Sequence, residues 1–243
     1  MIAFESVAVL AEGSPGAPDV AILSGVDLVL TERRIAVIGA NGSGKSTLAR
    51  LVNGLVLPTA GRVLVDGLDT ARDGGAVRRR VGFVFTDPDA QLVMPTPRED
   101  VALSLRRLHV DAAARDARAA AVLERFGLGR LADSSVHTLS GGQKQLLALA
   151  GVLATEPAVL VCDEPTTLLD LRWRRVVDDL LDSLDQQVLL VTHDLEAAAT
   201  ADRVLVVDGG RVVADGAART AVDQYRARMA RPTTGRPGTW TLR

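Results

Sequence analysis

The residues Leu139-Ser140-Gly141-Gly142-Gln143 stand just before a helical pattern that runs from Lys144 to Ala154. A hydroxyl, bare glycine N–H groups and the positive end of a helix dipole together suit an anion. A different cradle stands earlier, in Gly39-Ala40-Asn41-Gly42-Ser43-Gly44-Lys45-Ser46 followed by Thr47. It fits the G-x-x-x-x-G-K-[ST] pattern that binds nucleotide phosphates. Its glycines let phosphate oxygens approach the backbone. Lys45 supplies a point charge for β- and γ-phosphates, and Ser46 is a candidate Mg²⁺ ligand. Two phosphate-binding devices in one small chain predict a nucleotide gripped from two sides.

Further chemistry ends two apolar runs. Val159-Leu160-Val161-Cys162 leads into Asp163 and Glu164. A parallel strand buried on both faces reads as a continuous apolar run, and ligands bind at the carboxyl ends of such strands. Asp163 is therefore expected to hold Mg²⁺ through its water shell. Glu164, one residue on, is the candidate base that polarises an attacking water. Alone, two acids at a strand end are more often ordinary; beside a phosphate cradle they read as chemistry. Val188-Leu189-Leu190-Val191-Thr192 ends in His193, whose imidazole can hydrogen-bond a γ-phosphate. His109 and His137 lie in polar surroundings and carry no such argument. Trp173 is expected to pack on the sheet, and Trp240 is uninformative.

The elements that position these groups follow from periodicity. Arg34 to Ile38 reads as a buried strand entering the cradle, and Ser46 to Leu55 as a helix leaving it, with Leu48, Leu51, Val52 and Leu55 on one face. Ile2 to Leu10 and Val20 to Leu30 read as antiparallel strands around the turn-forming stretch 11–16. Gly61 to Gly67 and Val81 to Phe85 read as further strands. From about 95 to 133 the pattern becomes helical. Thr96-Pro97-Arg98-Glu99 is a helix start, with Val101, Leu105 and Leu108 expected on one face. Asp111 opens a second, Ala- and Arg-rich helix to about Phe126. Strands are expected near 158–163, 187–192, 203–208 and 211–215, and helices near 170–184, 194–201 and 217–230. Alternating β and α predicts a mainly parallel sheet with helices on its faces. The expected organisation is one α/β domain over 1–230, with N-terminal antiparallel strands, a helical insertion at about 95–155, and a flexible tail at 231–243.

Composition narrows the function classes. The 243 residues carry a net charge of −2 and 47% apolar but only 3% aromatic residues, so the core is aliphatic and no bulk basic character invites nucleic acid. The N-terminus Met1 to Ser6 lacks the basic and apolar regions of a signal peptide. No uncharged apolar run approaches the roughly 18 residues of a membrane span. The single cysteine, Cys162, excludes an intrachain disulfide and reads as a packed strand residue. A cytoplasmic protein is expected, with any membrane role supplied by a partner.

These motifs, in this order and across nearly the whole chain, resemble the ATP-binding cassette (ABC) ATPase family. The resemblance makes 39–47 the ATP-binding P-loop and 139–143 the signature. It makes Asp163 and Ser46 the Mg²⁺ pair, Glu164 the base, Lys45 a catalytic cation and His193 the switch histidine. Pro165-Thr166-Thr167-Leu168-Leu169-Asp170 becomes the loop passing between subunits. It implies a dimer of two copies, or of this chain and a paralogous ATPase, with each ATP between the P-loop of one subunit and Ser140-Gly141-Gly142-Gln143 of the other. A finer resemblance lies in Phe85-Thr86-Asp87-Pro88-Asp89-Ala90-Gln91-Leu92. This run is similar to the ATPases of energy-coupling factor importers, which take up vitamins or transition-metal ions. There the segment borders a groove that grips helices of a membrane partner, so Thr86, Pro88, Asp89 and Gln91 are expected to couple to it. The expected partners are a transmembrane coupling subunit and a substrate-binding membrane subunit, with the chain at the cytoplasmic face of the membrane. The lack of the longer C-terminal extension found on many shared-module ATPases points to a dedicated biotin or cobalt/nickel module, with biotin slightly ahead. Another ABC importer or exporter is the alternative. So is a soluble ABC ATPase, though Ser140 follows Lys45 by only 95 residues, too few for the coiled coil of chromosome-type members.

Two positions depart from the family pattern. Thr86 stands where glutamine is usual, and is too short to span the same distance. The aromatic that usually stacks on adenine is absent, with Ala11 aligned in its place. Weakened base discrimination follows. Nucleotide titration should give a high KM for ATP or turnover of GTP alongside it; a strong adenine preference would overturn this expectation.

Overall fold

The computed structural model describes residues 1–13, 18–108 and 111–230. The expected tail at 231–243, Trp240, His109 and much of the 11–16 turn lie outside the described residues. In chain order, β1 (Ile2–Ala11) and β2 (Val20–Leu30) precede β3 (Arg34–Ile38) and α1 (Lys45–Val52). Then come β4 (Ala60–Val65), β5 (Leu68–Asp69), α2 (Gly74–Arg80) and β6 (Val81–Val84). The helices α3 (Pro97–Ser104), α4 (Ala112–Arg125) and α5 (Gly141–Leu153) follow one another. The described chain ends with β7 (Val159–Asp163), α6 (Leu171–Ser183), β8 (Gln187–Val191), α7 (Leu195–Ala199), β9 (Arg203–Asp208), β10 (Arg211–Ala217) and α8 (Ala218–Met229).

The strands form two sheets. One has the order β2-β1-β4-β5 and is antiparallel; the other has the order β10-β9-β3-β8-β7-β6. In the second, β3 pairs in parallel with β8 and β9, and β7 with β6 and β8; only β10 runs antiparallel, against β9. The expected mainly parallel sheet with N-terminal antiparallel strands is therefore what forms. Every residue of β3 and β7 is buried, which is why 35–38 and 159–162 read as unbroken apolar runs. Because β6, β7, β8 and β3 are parallel neighbours, their carboxyl ends share one edge of the sheet. That edge receives the cradle, Thr86, Asp163-Glu164 and His193.

Three apolar clusters hold the layers. The first joins the antiparallel sheet and α1 to one face of the parallel sheet, through Phe4, Leu23, Leu48 and Val161. The second packs α3, α4, α5 and α6 through Leu123, Leu147, Leu149 and Leu181. The third seats α7 and α8 on β3 and β9 through Ala198, Val204 and Val222. Cys162 lies in the second cluster, and burial pushes its thiol well above the ordinary range, so it packs as an apolar group.

Local chemistry sets the helix ends. Thr96 caps α3 by accepting from the Glu99 N–H, with Pro97 in first position. Asp111 and Asp170 cap α4 and α6 in the same way. Four expectations need correcting. The helix α1 stops at Val52, followed by Gly54 at φ +69°, so Leu55 leaves the buried face and is 48% exposed. Leu108 falls in a 3₁₀ turn after α3 and is exposed. The helix α5 starts at Gly141 rather than Lys144, so the two signature glycines belong to its first turn. The helix α2 has no counterpart in the sequence reading. Its opening Gly74-Gly75 hides it from propensity, and burial of Val77 anchors it.

One buried charge closes the far end of the sheet. Arg34, at the start of β3, donates through Nη1 to the Gln186 carbonyl at 2.9 Å. Its Nη2 donates to the carbonyls of Asp182 (3.1 Å) and Leu184. It thus satisfies the carbonyls where α6 ends and β8 begins. Burial, with repulsion from Arg33, holds its guanidinium below the ordinary value, opposed by Asp182, Asp202 and Asp185. Replacing Arg34 with Met should cost about 2–3 kcal/mol in urea unfolding, because the carbonyls stay buried without donors. Arg34→Lys should recover little, since one ammonium cannot span the fork.

Candidate active site

The cradle is shaped by two glycines that nothing larger can replace. A Cβ on Gly39 would run into the Val207 carbonyl. A Cβ on Gly44, at φ +106°, would lie 2.9 Å from the Ile22 carbonyl oxygen. Lys45 is buried, and its Nζ donates to the carbonyls of Gly39 and Ala40 at 2.9 Å each, folding back over the loop. Burial holds its ammonium below the ordinary lysine value, opposed by the carboxylates of Glu164 and Asp163. The buried Ser43 hydroxyl has no partner within the protein. An orphaned hydroxyl, a cation turned inward and the start of α1 together fit a polyphosphate.

Beside the cradle, Asp163 is 2% exposed at the end of β7. Its Oδ1 accepts from Ser46 Oγ at 2.8 Å, and its Oδ2 lies 3.4 Å from Arg50 Nη2. Two hard oxygens held side by side next to a phosphate cradle fit Mg²⁺, which takes one or two protein oxygens and draws the rest from phosphates and water. Sequence reasoning missed Arg50, although its position four residues after Ser46 puts both on one face of α1.

Glu164 has φ +51°, a left-handed conformation that costs on the order of 1–3 kcal/mol for a side chain of this kind. Its Oε2 accepts from Thr167 Oγ1 at 2.9 Å and lies 3.2 Å from His193 Nδ1. The sequence set His193 against a phosphate; here the imidazole rests on the carboxylate. Thr167, read only as part of a connecting loop, donates to the same carboxylate oxygen.

The signature residues make hydrogen bonds with one another. Ser140 Oγ accepts from the Gln143 N–H at 3.3 Å, and the Gln143 side chain accepts from the Ser140 N–H at 2.8 Å, a reciprocal cap on α5. Ser140 and Gly141 are exposed, whereas Leu139 is buried in the second cluster. Gly142 is small for a reason the sequence did not reveal. A Cβ there would fall on the indole of Trp173. Trp173 therefore packs against the start of α5, which corrects its expected place on the sheet. Asp170 caps the helix that carries Trp173, its Oδ1 accepting from the Trp173 N–H at 2.9 Å.

The segment 86–91 joins β6 to α5. Thr86 Oγ1 donates to the Asp163 carbonyl at 2.6 Å. Pro88 is buried, and Asp89 pairs with Lys144 at 2.7 Å. The Gln91 amide accepts from the Phe85 N–H and donates to the Ala148 carbonyl, each at 3.2 Å. Gln91 is thus engaged inside the chain. Nearby, a groove of about 540 Å³ runs between α2 and β6 on one side and α3 and α5 on the other. Asn53, Arg78, Phe83, Ser104, Arg106 and Gly151 line it.

Residues 23–167 match the family model described as ABC transporter. The chain is 47% identical over 204 residues to the biotin transport ATP-binding protein BioM of Rhizobium etli, covering 84% of this chain and 91% of that protein. It is 46% identical over 220 residues to the energy-coupling factor transporter ATP-binding protein EcfA1 of Symbiobacterium thermophilum, covering 88% and 77%. Two solved structures share the fold at 30% identity. One is an ATP-binding cassette in a dimeric post-hydrolysis state bound to ADP and Pi, with TM-score 0.80 over 90% of this chain and 99% of that one. The other is CbiO1 of Clostridium perfringens, part of the ABC transporter complex CbiONQ, with TM-score 0.78 over 94% and 93%.

The contact between Gly142 and Trp173 is testable without any assay of function. Gly142→Ala should cost about 1–3 kcal/mol by overpacking, a fall of several degrees in Tm. Combining it with Trp173→Leu should recover part of that loss; additive losses in the double variant would place the strain elsewhere.

Proposed function

The chain belongs to the ABC transporter family of ATP-binding subunits and hydrolyses ATP, and on that premise we propose that it powers an energy-coupling factor importer for biotin, as a dimer with each ATP held between subunits. The observation that carries the reading is a division of the site. Ser140 and Gly141 stand exposed at the start of α5 and bond only within their own cap, while the cradle lies at the carboxyl edge of the sheet. The cradle of one copy and the cap of another make one complete phosphate site. Leu168 and Leu171, 66% and 74% exposed, flank Asp170 and supply apolar surface for a subunit contact.

In this reading the loop 39–47 holds the phosphates, and Lys45 exchanges its two carbonyl partners for phosphate oxygens. Ser46 and Asp163 hold Mg²⁺, which when bound neutralises charge on the β- and γ-phosphates. Glu164 takes a proton from the attacking water. Thr167 and His193 hold that carboxylate in place, and the His193 imidazole also reaches a γ-phosphate oxygen. Ser140 of the opposite copy stabilises charge developing on the γ-phosphoryl group.

Residues 1–230 act as a single domain, with the helical layer α3–α5 as its insertion. Among the described residues no helix is long and apolar enough to cross a membrane. The proposed seat for a helix of a transmembrane coupling subunit is the groove lined by Phe83, Arg106 and Gly151. Thr86, Pro88, Asp89 and Gln91 act on that partner by joining β6 to α5. A substrate-binding membrane subunit completes the assembly, which holds this chain at the cytoplasmic face of the membrane. Biotin is the favoured solute because the BioM relative is 47% identical; a transition-metal ion is the rival.

Glu164→Gln should lower phosphate release by about 100-fold or more, with an ATP-bound dimer accumulating on size-exclusion chromatography. Wild-type turnover in that variant would refute the assignment. Vesicles carrying this chain with its co-purifying membrane proteins should take up labelled biotin on adding ATP. Uptake of cobalt or nickel instead would decide for the rival.

A further inference from the structure

The peptide that joins Asp163 to Glu164 is bound at both ends. Its carbonyl accepts the 2.6 Å hydrogen bond from the Thr86 hydroxyl, and its N–H donates to the Val191 carbonyl at 2.9 Å. One partner, Val191, lies in β8; the other, Thr86, lies just past the end of β6 on the opposite side of β7. On the β8 side the bond is main chain to main chain, continuing the ladder in which Asp163 pairs with Val191. On the β6 side the ladder has already ended. Its last pair is Val84 with Cys162, and the next N–H, that of Phe85, turns away to the Gln91 side chain. A side-chain hydroxyl thus takes over where the main chain of β6 leaves the sheet.

Just beyond this peptide, Glu164 sits at φ +51°. A long side chain holds that conformation only where its surroundings over-determine it. With the carbonyl free, the Val191 bond alone holds the peptide plane, which can then tilt about that one bond, let Glu164 relax toward the right-handed region and draw its carboxylate away from Thr167 and His193. Thr86 makes no hydrogen bond to the cradle at 39–47, and the Asp163 carboxylate keeps its own partners Ser46 and Arg50, so the loss of the Thr86 bond falls on Glu164 rather than on the phosphates.

We propose that Thr86 is a positioning residue for hydrolysis: its hydroxyl pins the Asp163–Glu164 peptide and so keeps the Glu164 carboxylate aimed at the attacking water. The proposal rests on the reading of Glu164 as the base. The donor, not the size or branching of the side chain, is what matters. Serine therefore substitutes for Thr86, while valine, of nearly the same shape, does not.

The test compares Thr86→Val and Thr86→Ser in the full-length chain by steady-state ATP turnover, equilibrium binding of ATP and thermal unfolding. Thr86→Val should lower kcat by about tenfold, the factor one hydrogen bond supplies. Its Kd for ATP should stay within about threefold of wild type, and Thr86→Ser should keep most of the wild-type kcat. If the valine variant fails to fold, Thr86→Ala is read in the same way. Wild-type kcat in Thr86→Val overturns the proposal. So does a serine variant as slow as the valine one, or a loss of ATP binding that matches the loss of turnover. Glu164→Gln separates the two levels. If it is inactive while Thr86→Val is fully active, only the role of Thr86 fails; if it turns over normally, the reading of Glu164 fails and takes this proposal with it.

Discussion

A carboxylate buried at the end of a parallel strand must be paired, because an isolated charge in a low-dielectric interior is too costly to keep. Asp163 meets that demand from two sides, with Ser46 on one oxygen and Arg50 on the other. Its main-chain carbonyl, pointing the other way, is taken by Thr86. One residue thus ties the first helix after the cradle to the turn that leaves β6. Lys45 belongs to the same balance, since burial disfavours its charge and the carboxylates of Glu164 and Asp163 partly oppose that. The phosphate cradle, the paired acids and the edge of the sheet form one electrostatic unit.

The helical layer answers to a different constraint. Its helix α5 presents a bare first turn to solvent, yet the turn is held firmly. Ser140 and Gln143 cap each other, and Trp173 fills the space that a side chain at Gly142 would need. The Asp89–Lys144 pair and the two bonds of the Gln91 amide then anchor α5 to the end of β6. A movement at the sheet edge therefore has a route to the signature through bonded neighbours, and Asp170, which caps the helix carrying Trp173, lies on the same route.

Much of the fold was legible because its elements obey simple periods. β3 and β7 are buried on both faces and read largely as apolar runs, and α3 and α4 begin at side-chain caps read in the sequence. The errors fell where local signals were weak or misleading. Glycines 141 and 142 look like a loop but lie in a helix, because the Ser140–Gln143 cap and the packing of Trp173 outweigh their poor propensity. Leu55 and Leu108 kept the apolar period after the helix had ended, so periodicity alone placed them inside. The start of α2 was invisible for the same reason as the start of α5.

By itself the sequence determined which residue types stand at the ends of which strands, since apolar patterning and turn chemistry act over a few neighbouring residues. That was enough to assemble the cradle at 39–47, the acids at 163–164, His193 and the signature, and to recognise the family they compose. Only the tertiary structure decided who bonds to whom. It turned His193 toward Glu164, gave Arg50 and Thr167 their places, and set Thr86 on the carbonyl of Asp163. Those partners are brought together by parallel pairing of strands far apart in the chain. Hydrogen bonds depend on tenths of an ångström across that pairing, a distance no local pattern encodes.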